Sequence, residues 1–205
     1  RLFSISIKSD AVLMVSVGHI CPWKNQKFLV GVLDRLPDNY HLIMIGPVLL
    51  QDQEYLDGIL LDAKSRDLLH RLHVLDGHYP DVERYLWASD LLVHASTSEG
   101  LATAILEGLM CGLPAVVHLI SGVTDAVIQE GVNGALSPLD ENRFADAVLR
   151  SSELLSEKDN IASLAKSRYE TSQIAEDFAA LLKRAMAKNT DDSFKIVKPV
   201  VGKEA

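Results

Sequence analysis

The chain has 205 residues, which is enough for a domain of ordinary size with a substantial hydrophobic core. Hydrophobic residues make up 48% and charged residues 23%, a composition typical of globular proteins rather than of disordered chains. The formal net charge of −8 argues against nucleic acid as the main partner, because phosphate backbones are bound by clustered lysine and arginine.

Cysteine usage and the lengths of the apolar runs indicate the compartment. Cys21 and Cys111 are too few for a disulfide framework, so a reducing cytoplasm is expected. No apolar run approaches the ~20 residues of a membrane span, and no signal-peptide pattern is visible. The chain begins with Arg1 rather than Met, which suggests a piece of a longer protein.

Short apolar runs alternate with helical patterns along the first 140 residues. The continuous apolar run at 11–17 predicts a strand covered on both faces, and the apolar spacing at 28–36 predicts a helix. The same alternation predicts strands at 41–45, 72–75, 91–93, 115–117 and 135–136, and helices at 53–69, 82–88, 102–111 and 124–129. Such alternation predicts an α/β fold with a parallel sheet and helices on both faces, which binds ligands beyond the carboxyl ends of its strands.

From residue 141 onward the pattern is helical. Three apolar stripes support this prediction: Phe144, Val148 and Leu149; Ile161, Leu164, Ala165 and Tyr169; and Ile174, Phe178, Leu181, Leu182 and Ala185. Residues 189–205 are polar, contain proline and glycine, and are predicted to form a loose tail. We therefore expect one domain over residues 1–188, including the C-terminal helices, followed by the tail 189–205.

The most informative segment contains two carboxylates eight residues apart. Glu99 precedes the predicted helix at 102–111, beside Gly100 and the free N–H groups of the first helical turn, which favour an anion. Glu107 is the only charge in that helix, which we expect to be buried because it is apolar on nearly every face. A rise of ~1.5 Å per residue places the carboxylates about 12 Å apart. This layout suits a sugar, a phosphate and a ribose in a row.

The region 96–140 resembles the donor-binding half of retaining GT-B glycosyltransferases of the "group 1" type. Glu99 and Glu107 reproduce the Glu-x7-Glu signature of that family, although His-Ala-Ser at 94–96 replaces its usual Pro-Ser approach. Its later motifs are matched, in order, by Gly-Leu-Pro at 112–114, Ser-Gly-Val-Thr-Asp at 121–125, Gly-Val-Asn-Gly-Ala-Leu at 131–136 and Asp140. Upstream, GHICPWKN at 18–25 is similar to the family's Gly-Arg-Leu followed by Lys-Gly or Lys-Asn, and 74–89 resembles its Val-x-Phe-x-Gly strand and helix.

The resemblance implies the Rossmann-like half of a GT-B fold. It also implies a cytoplasmic hexosyltransferase that moves a sugar from a nucleoside-diphosphate donor, with retention of configuration and without a metal or other cofactor. Glu99 would contact hydroxyls of the donor sugar, Lys24 would neutralise the departing diphosphate, and Glu107 would bind the ribose. Lys24 and Glu99 are therefore the expected catalytic residues, through electrostatics and donor positioning. The amides expected to hold the distal phosphate are those of Gly100, Leu101 and Ala102.

The remaining donor contacts are expected from the ends of two strands. Gly18 and His19 would lie beside the diphosphate, and the base would lie near the strand end that runs from Leu75 to Gly77. The family often has arginine at the position of His19, so this chain lacks a fixed charge there and its binding could depend on pH.

For four other histidines the sequence predicts neither a catalytic nor a metal-binding role. We expect His94 and His118 to line or pack near the site rather than to act in catalysis. His70 and His73 have the spacing of a metal pair, but no third ligand is evident, so no metal site is predicted.

Nothing in the chain resembles the N-terminal domain of the family, which carries the acceptor site and usually a catalytic histidine. We therefore expect the chain to be a C-terminal domain that is inactive without that partner, through which the protein could also meet a membrane peripherally. Two alternatives remain open: an accessory module that binds sugar nucleotides without catalysis, and a GT-B-like sugar-nucleotide epimerase. The base, the sugar and the acceptor are not specified by the sequence.

Overall fold

The computed structural model of the chain describes residues 8–188. The chain divides into two compact units, Arg1–Lys166 and Ser167–Ala205. This boundary falls inside the predicted domain 1–188, whose extent remains a prediction, and the predicted tail 189–205 lies outside the described residues.

The first unit contains a parallel sheet. Its strands are β1 (Val12–Val17), β2 (Tyr40–Gly46), β3 (Leu72–Asp76), β4 (Leu91–His94), β5 (Ala115–His118) and β6 (Gly134–Ser137). The helices of the chain are α1 (Gln26–Leu33), α2 (Gln53–Ser65), α3 (Val82–Trp87), α4 (Thr103–Met110), α5 (Glu141–Ser151), α6 (Lys158–Tyr169) and α7 (Thr171–Lys188). The predicted α/β fold is confirmed, because every predicted strand is present and all pairings are parallel.

The order of the strands determines where loops can meet. The sheet runs β3-β2-β1-β4-β5-β6. Strand β1 pairs with β2 from Val12 to Val17, and on its other side it pairs with β4 through Met14 and Val15. The chain thus moves outward from β1 to β3 and then returns to the opposite side of β1. This reversal opens a crevice between the loops that follow β1 and β4.

The core consists of the central strands and the helices that cover them. Met14 and Val15 of β1 are at most 1% exposed, as expected for a strand covered on both faces. On one face, the fully buried ring of Phe144 from α5 meets the edge of Phe28 from α1 at a centroid distance of 5.5 Å. None of the helices in residues 8–188 is both long and apolar enough to cross a membrane.

The prediction of a helix at 124–129 is wrong. Residues 121–127 form consecutive turns instead. The buried Thr124 accepts from the backbone N–H of Ile120 at 2.7 Å and donates to the carbonyl of His118 at 2.8 Å. Asp125 accepts from the N–H of Gly122, which has a φ of +78°. These side-chain bonds to the backbone compete with a helical ladder and stabilise turns.

Helix α7 of the second unit carries the predicted apolar stripe on an exposed face. Its large apolar side chains are between 47% and 60% exposed, namely those of Ile174, Phe178, Leu181 and Leu182. A surface stripe of this size is typical of a helix that packs against another partner.

The close approach of β1 and β2 at their carboxyl ends yields a test of the fold. Gly46 has a φ of +153°, and a Cβ added there would lie 2.1 Å from the carbonyl oxygen of Gly18. We expect Gly46→Ala to lower the free energy of unfolding in urea by about 1–3 kcal/mol, the usual cost of forcing atoms into a packed core. Gly58→Ala in α2 is the control, because its Cβ would meet nothing closer than 3.7 Å. The control should be stabilised by about 0.5–1 kcal/mol, and an unchanged Gly46→Ala would contradict the packing described.

Candidate functional site

A cavity of about 370 Å³ lies in the crevice between the loops that follow β1 and β4. Most of the predicted site residues line it: Gly18, His19, Lys24, Glu99, Leu101, Ala102 and Glu107. Two predicted residues do not. Gly100 does not line the cavity, although its neighbours in the chain, Glu99 and Leu101, do. Leu75 lies on β3, which β2 separates from β1. The cavity thus contains carboxylates, a lysine and the start of α4.

A larger cavity of about 860 Å³ lies at the opposite, amino-terminal edge of the sheet. Its wall includes the buried guanidinium of Arg71, which donates to the carbonyl oxygens of Leu33, Leu36, Pro37 and Tyr40. Arg71 therefore satisfies the carbonyls at the end of α1 and of the segment that follows. We assign this cavity a structural role, because the guanidinium of Arg71 is already hydrogen-bonded to four carbonyl oxygens.

Glu99 is the centre of charge in the smaller cavity. Its Oε1 accepts from Lys24 Nζ at 2.6 Å and from His94 Nε2 at 2.7 Å. The side chains of Glu99 and His94 are only 8% and 4% exposed. Burial by itself raises the pKa of Glu99, but the hydrogen bonds from His94 and Lys24 outweigh burial and lower the pKa to about 2. Glu99 is therefore an anion held between two donors.

The loop after β1 is shaped to bring Lys24 to this position. Gly18 has a φ of +138°, and a Cβ there would lie 3.7 Å from Lys24 Cε. The carbonyl of Trp23 accepts from the N–H of Thr97 at 2.8 Å and from the hydroxyl of Ser96 at 3.2 Å. These bonds join the loop after β1 to the loop after β4, so that Lys24 and Glu99 are positioned by one another's loops.

The start of α4 presents unused backbone donors to the cavity. Ala102, which precedes the helix, has a left-handed φ of 47° although it is not glycine. This conformation costs roughly 1–2 kcal/mol, and strain of this kind often accompanies functional sites. Within the described part of the chain, the backbone N–H groups of residues 100–104 donate no hydrogen bond. A helix start with free N–H groups attracts anions.

The expectation that α4 is buried on nearly every face is wrong. Ile105, Gly108 and Leu109 are buried, but Glu107 is exposed at the cavity wall. The helix buries the face that meets the sheet, where a Cβ on Gly108 would approach Leu92 Cδ1 to 2.5 Å. Partial desolvation and, to a lesser extent, the charge of Glu83 raise the pKa of Glu107. Among residues 8–188 no group donates a hydrogen bond to its carboxylate, which is available to accept from a ligand.

The structure adds two contacts that the sequence does not reveal. His94 lines the cavity as expected, and it also donates to Glu99. The one sign of this role in the sequence was the place of His94 as the last residue of β4.

Asp52 is 6% exposed, and its Oδ2 lies 3.0 Å from His19 Nε2. Asp52 stands in the polar run Gln-Asp-Gln-Glu at 51–54, so no pattern distinguishes it from a surface residue.

The histidines that were compared with a metal pair are arranged differently. His73 contacts His41 rather than His70, with 3.2 Å between His41 Nδ1 and His73 Nε2. Burial and the neighbouring His41 lower the pKa of His73 to about 4. In the part of the chain that the structure describes, no group of three or more histidine, cysteine or acidic residues could hold a metal ion.

A parallel α/β sheet with a polar cavity at the reversal of its strand order is the arrangement typical of a class of nucleotide-binding folds. Within that class, residues 2–171 match the model of the family described as "Glycosyl transferases group 1". The chain belongs to this family.

Curated relatives match over part of their length. The chain is 28% identical over 153 residues to the UDP-Gal:alpha-D-GlcNAc-diphosphoundecaprenol alpha-1,3-galactosyltransferase of Escherichia coli, covering 71% of this chain and 38% of that enzyme. It is 26% identical over 159 residues to a D-inositol 3-phosphate glycosyltransferase of Kribbella flavida, covering 71% and 36%. The chain therefore spans less than two fifths of the length of these relatives.

Solved structures confirm the expected Rossmann-like half of a GT-B fold. Anabaena Alr3699/HepE in complex with UDP superposes with a TM-score of 0.78 at 25% identity, covering 86% of this chain and 50% of that one. A glycosyltransferase from Rickettsia africae superposes with a TM-score of 0.76 at 14% identity, covering 87% and 49%. The chain corresponds in length to about half of each.

The pairing of Glu99 predicts how the protein responds to acid. The pKa of Glu99 is about 2 in the folded chain, against an ordinary value of 4.5. The contribution of the ionised carboxylate to the free energy of unfolding is therefore complete above pH 4.5 and is lost as the pH falls toward 2. Over that range the loss is of the order of 3 kcal/mol. Urea unfolding from pH 6 to pH 3 should therefore show a shallower decline for Glu99→Gln than for the wild type.

Glu153→Gln is the matched control, because Glu153 is exposed and distant in the fold from β4. The control should decline with acid as the wild type does. Equal acid profiles for Glu99→Gln and the wild type would show that the contacts with Lys24 and His94 contribute nothing to stability.

Proposed function

We propose that this domain binds a nucleoside-diphosphate sugar as the donor for glycosyl transfer. The observation that carries the proposal is the arrangement in one cavity of a lysine, an anion-binding helix start and two carboxylates. Carboxylates accept hydrogen bonds from sugar and ribose hydroxyls, whereas ammonium and N–H groups donate to phosphate oxygens. The likeness to a chain solved with UDP supports the same ligand class.

Each part of the donor has a candidate partner. Glu99 accepts from Lys24 and His94 through Oε1, so that Oε2 remains outside both contacts and can accept from a sugar hydroxyl. Lys24 has three N–H donors and uses one on Glu99, which leaves two for the diphosphate. The N–H groups of residues 100–104 suit the distal phosphate, and Glu107 suits the ribose.

The proposed chemistry follows from where charge develops. When the bond between the anomeric carbon and the phosphate oxygen breaks, the departing diphosphate gains negative charge. Fixed donors that already face it, Lys24 and the start of α4, lower the barrier without rearrangement. We propose that Lys24 and the start of α4 stabilise this charge in place of a metal ion. The Glu-x7-Glu spacing of Glu99 and Glu107 supports transfer with retention of configuration, as in the family that the chain resembles.

The first test is direct binding. We expect calorimetry in EDTA to show binding of at least one of UDP, GDP and ADP, because the ligand groups of the cavity require no metal. The three nucleotides differ in their base, so testing all three allows for a site that selects one base. Folded protein that releases no heat with any of the three would overturn the proposal.

The second test concerns the ribose partner. We expect Glu107→Gln to weaken nucleotide binding by about 1–3 kcal/mol, the usual range for a hydrogen bond to a charged group. Glu153→Gln, distant from the cavity, should bind as the wild type does. If Glu107 has only a structural role, the melting temperature should fall and the affinity of the folded protein should stay the same.

Transfer itself is proposed to need more protein than this chain. The chain supplies the cavity proposed for the donor and spans about half of the solved chains that it resembles. An acceptor must be held against the donor in a site that excludes water. We expect the 205-residue chain to bind donor without transferring sugar, measured as nucleotide release from sugar nucleotides. Robust transfer by this chain alone would place the acceptor site within it.

A further inference from the structure

Two donors meet on the same carboxylate oxygen of Glu99. Lys24 Nζ lies 2.6 Å and His94 Nε2 lies 2.7 Å from Glu99 Oε1. The carboxylate is ionised near neutral pH, because its pKa is about 2, and an ionised carboxylate only accepts hydrogen bonds. Nε2 of His94 therefore carries the hydrogen of this contact. Lys24 and Glu99 have partners in the proposed donor, whereas His94 has its partner within the protein.

The two donors differ in how firmly the fold holds them. Lys24 ends the 3₁₀ turn Pro22–Lys24 and reaches Glu99 through a flexible four-carbon stem, and its side chain is 21% exposed. His94 is the last residue of β4, in register with Val117 of β5, and its side chain is 4% exposed. A buried ring on a paired strand is held more precisely than a long side chain on a turn. His94 is therefore the more rigid of the two supports of Glu99.

A bound diphosphate would act on the two donors differently. The phosphate oxygens attract the ammonium of Lys24 and compete for it with Glu99, because both competitors are anions. A carboxylate that was held by Lys24 alone would follow the ammonium or lose its partner, and either change would displace Oε2. The hydrogen bond from His94 opposes this displacement, since it does not depend on the position of the ammonium.

We propose that His94 is a positioning residue that keeps Glu99 directed at the donor sugar while Lys24 turns to the diphosphate. This inference rests on the proposed function. Oε1 of Glu99 stays on His94, Oε2 accepts from a sugar hydroxyl, and Lys24 follows the charge of the departing diphosphate. His94 acts through Glu99 rather than on the donor itself.

The neighbouring hydroxyl of Ser96 does not duplicate this support. It donates to the carbonyls of Trp23 and Ser98, at 3.2 Å and 2.8 Å. Ser96 also lowers the pKa of Glu99 less than His94 does. Without the hydrogen bond from His94, the carboxylate would therefore depend on the mobile ammonium.

The experiment compares a nucleotide with its sugar conjugate in each variant. Calorimetry in EDTA gives the dissociation constants of UDP and of UDP-glucose or UDP-galactose, whichever binds more tightly. The ratio of the first constant to the second measures what the sugar adds to the affinity. If the wild type binds GDP or ADP instead, GDP-mannose or ADP-glucose is the conjugate.

We expect Glu99→Ala and His94→Leu to lower this ratio to a similar extent. The decrease should be about tenfold or more, the equivalent of a hydrogen bond to a charged group. The affinity of His94→Leu for the nucleoside diphosphate alone should change much less, because the phosphate donors are intact.

Two further variants separate positioning from a general effect on the fold. His94→Gln should keep the ratio near the wild-type value, because the glutamine amide donates and extends about as far from Cα as imidazole Nε2. His118→Leu is the matched control and should also keep it. His118 is the last residue of β5, as His94 is of β4, and it is not among the residues that line the cavity.

If His94→Leu does not fold, His94→Asn replaces it, since the asparagine amide is one carbon shorter than that of glutamine. A wild-type ratio in the shortened or apolar variant, with a lowered ratio in Glu99→Ala, would overturn this inference and leave the proposed function standing. An equal loss in His94→Gln would overturn it too, because the donor would then not be what matters. An unchanged ratio in Glu99→Ala would overturn the assignment of Glu99 to the sugar and this inference with it. Absence of binding by all three nucleotides would overturn the proposed function as well.

Discussion

The reversal of strand order between β1 and β4 is the constraint on which the site depends. Because β2 and β3 lie on one side of β1 and β4 lies on the other, the loops that follow β1 and β4 face each other across a crevice. Lys24 and Glu99, which are 75 residues apart in the chain, meet there at 2.6 Å. The bonds from Ser96 and Thr97 to Trp23 keep the two loops in register.

The crevice concentrates groups that would be unfavourable elsewhere in a small domain. Glu99 is a nearly buried anion, Ala102 has a strained backbone, and the first N–H groups of α4 have no acceptor among residues 8–188. Glu99 is stable there because Lys24 and His94 both donate to it, which outweighs the desolvation of its charge. Strained and unsatisfied groups that lie together at one edge of a sheet are typical of functional sites.

The cavity contains both hydrogen-bond donors and acceptors, a combination that suits a ligand with several chemical parts. The donors at the start of α4 lie in the chain between the acceptors Glu99 and Glu107, and Lys24 adds a further donor. A negative centre flanked by hydroxyl-bearing rings complements this order. The overall charge of −8 does not oppose such a ligand, because the interaction is decided by groups within a few ångströms rather than by the net charge.

The sequence by itself determined the α/β fold and most of the residues of the cavity. Continuous apolar runs predict buried strands, and the spacing of Glu99 and Glu107 places two carboxylates around a helix start. It could not determine that residues 121–127 form turns, because hydrogen bonds of Thr124 and Asp125 to the backbone compete locally with a helix. Only the tertiary structure brought Asp52 to His19 and exposed Glu107, since burial and contacts between distant residues depend on how the loops and helices pack against the sheet.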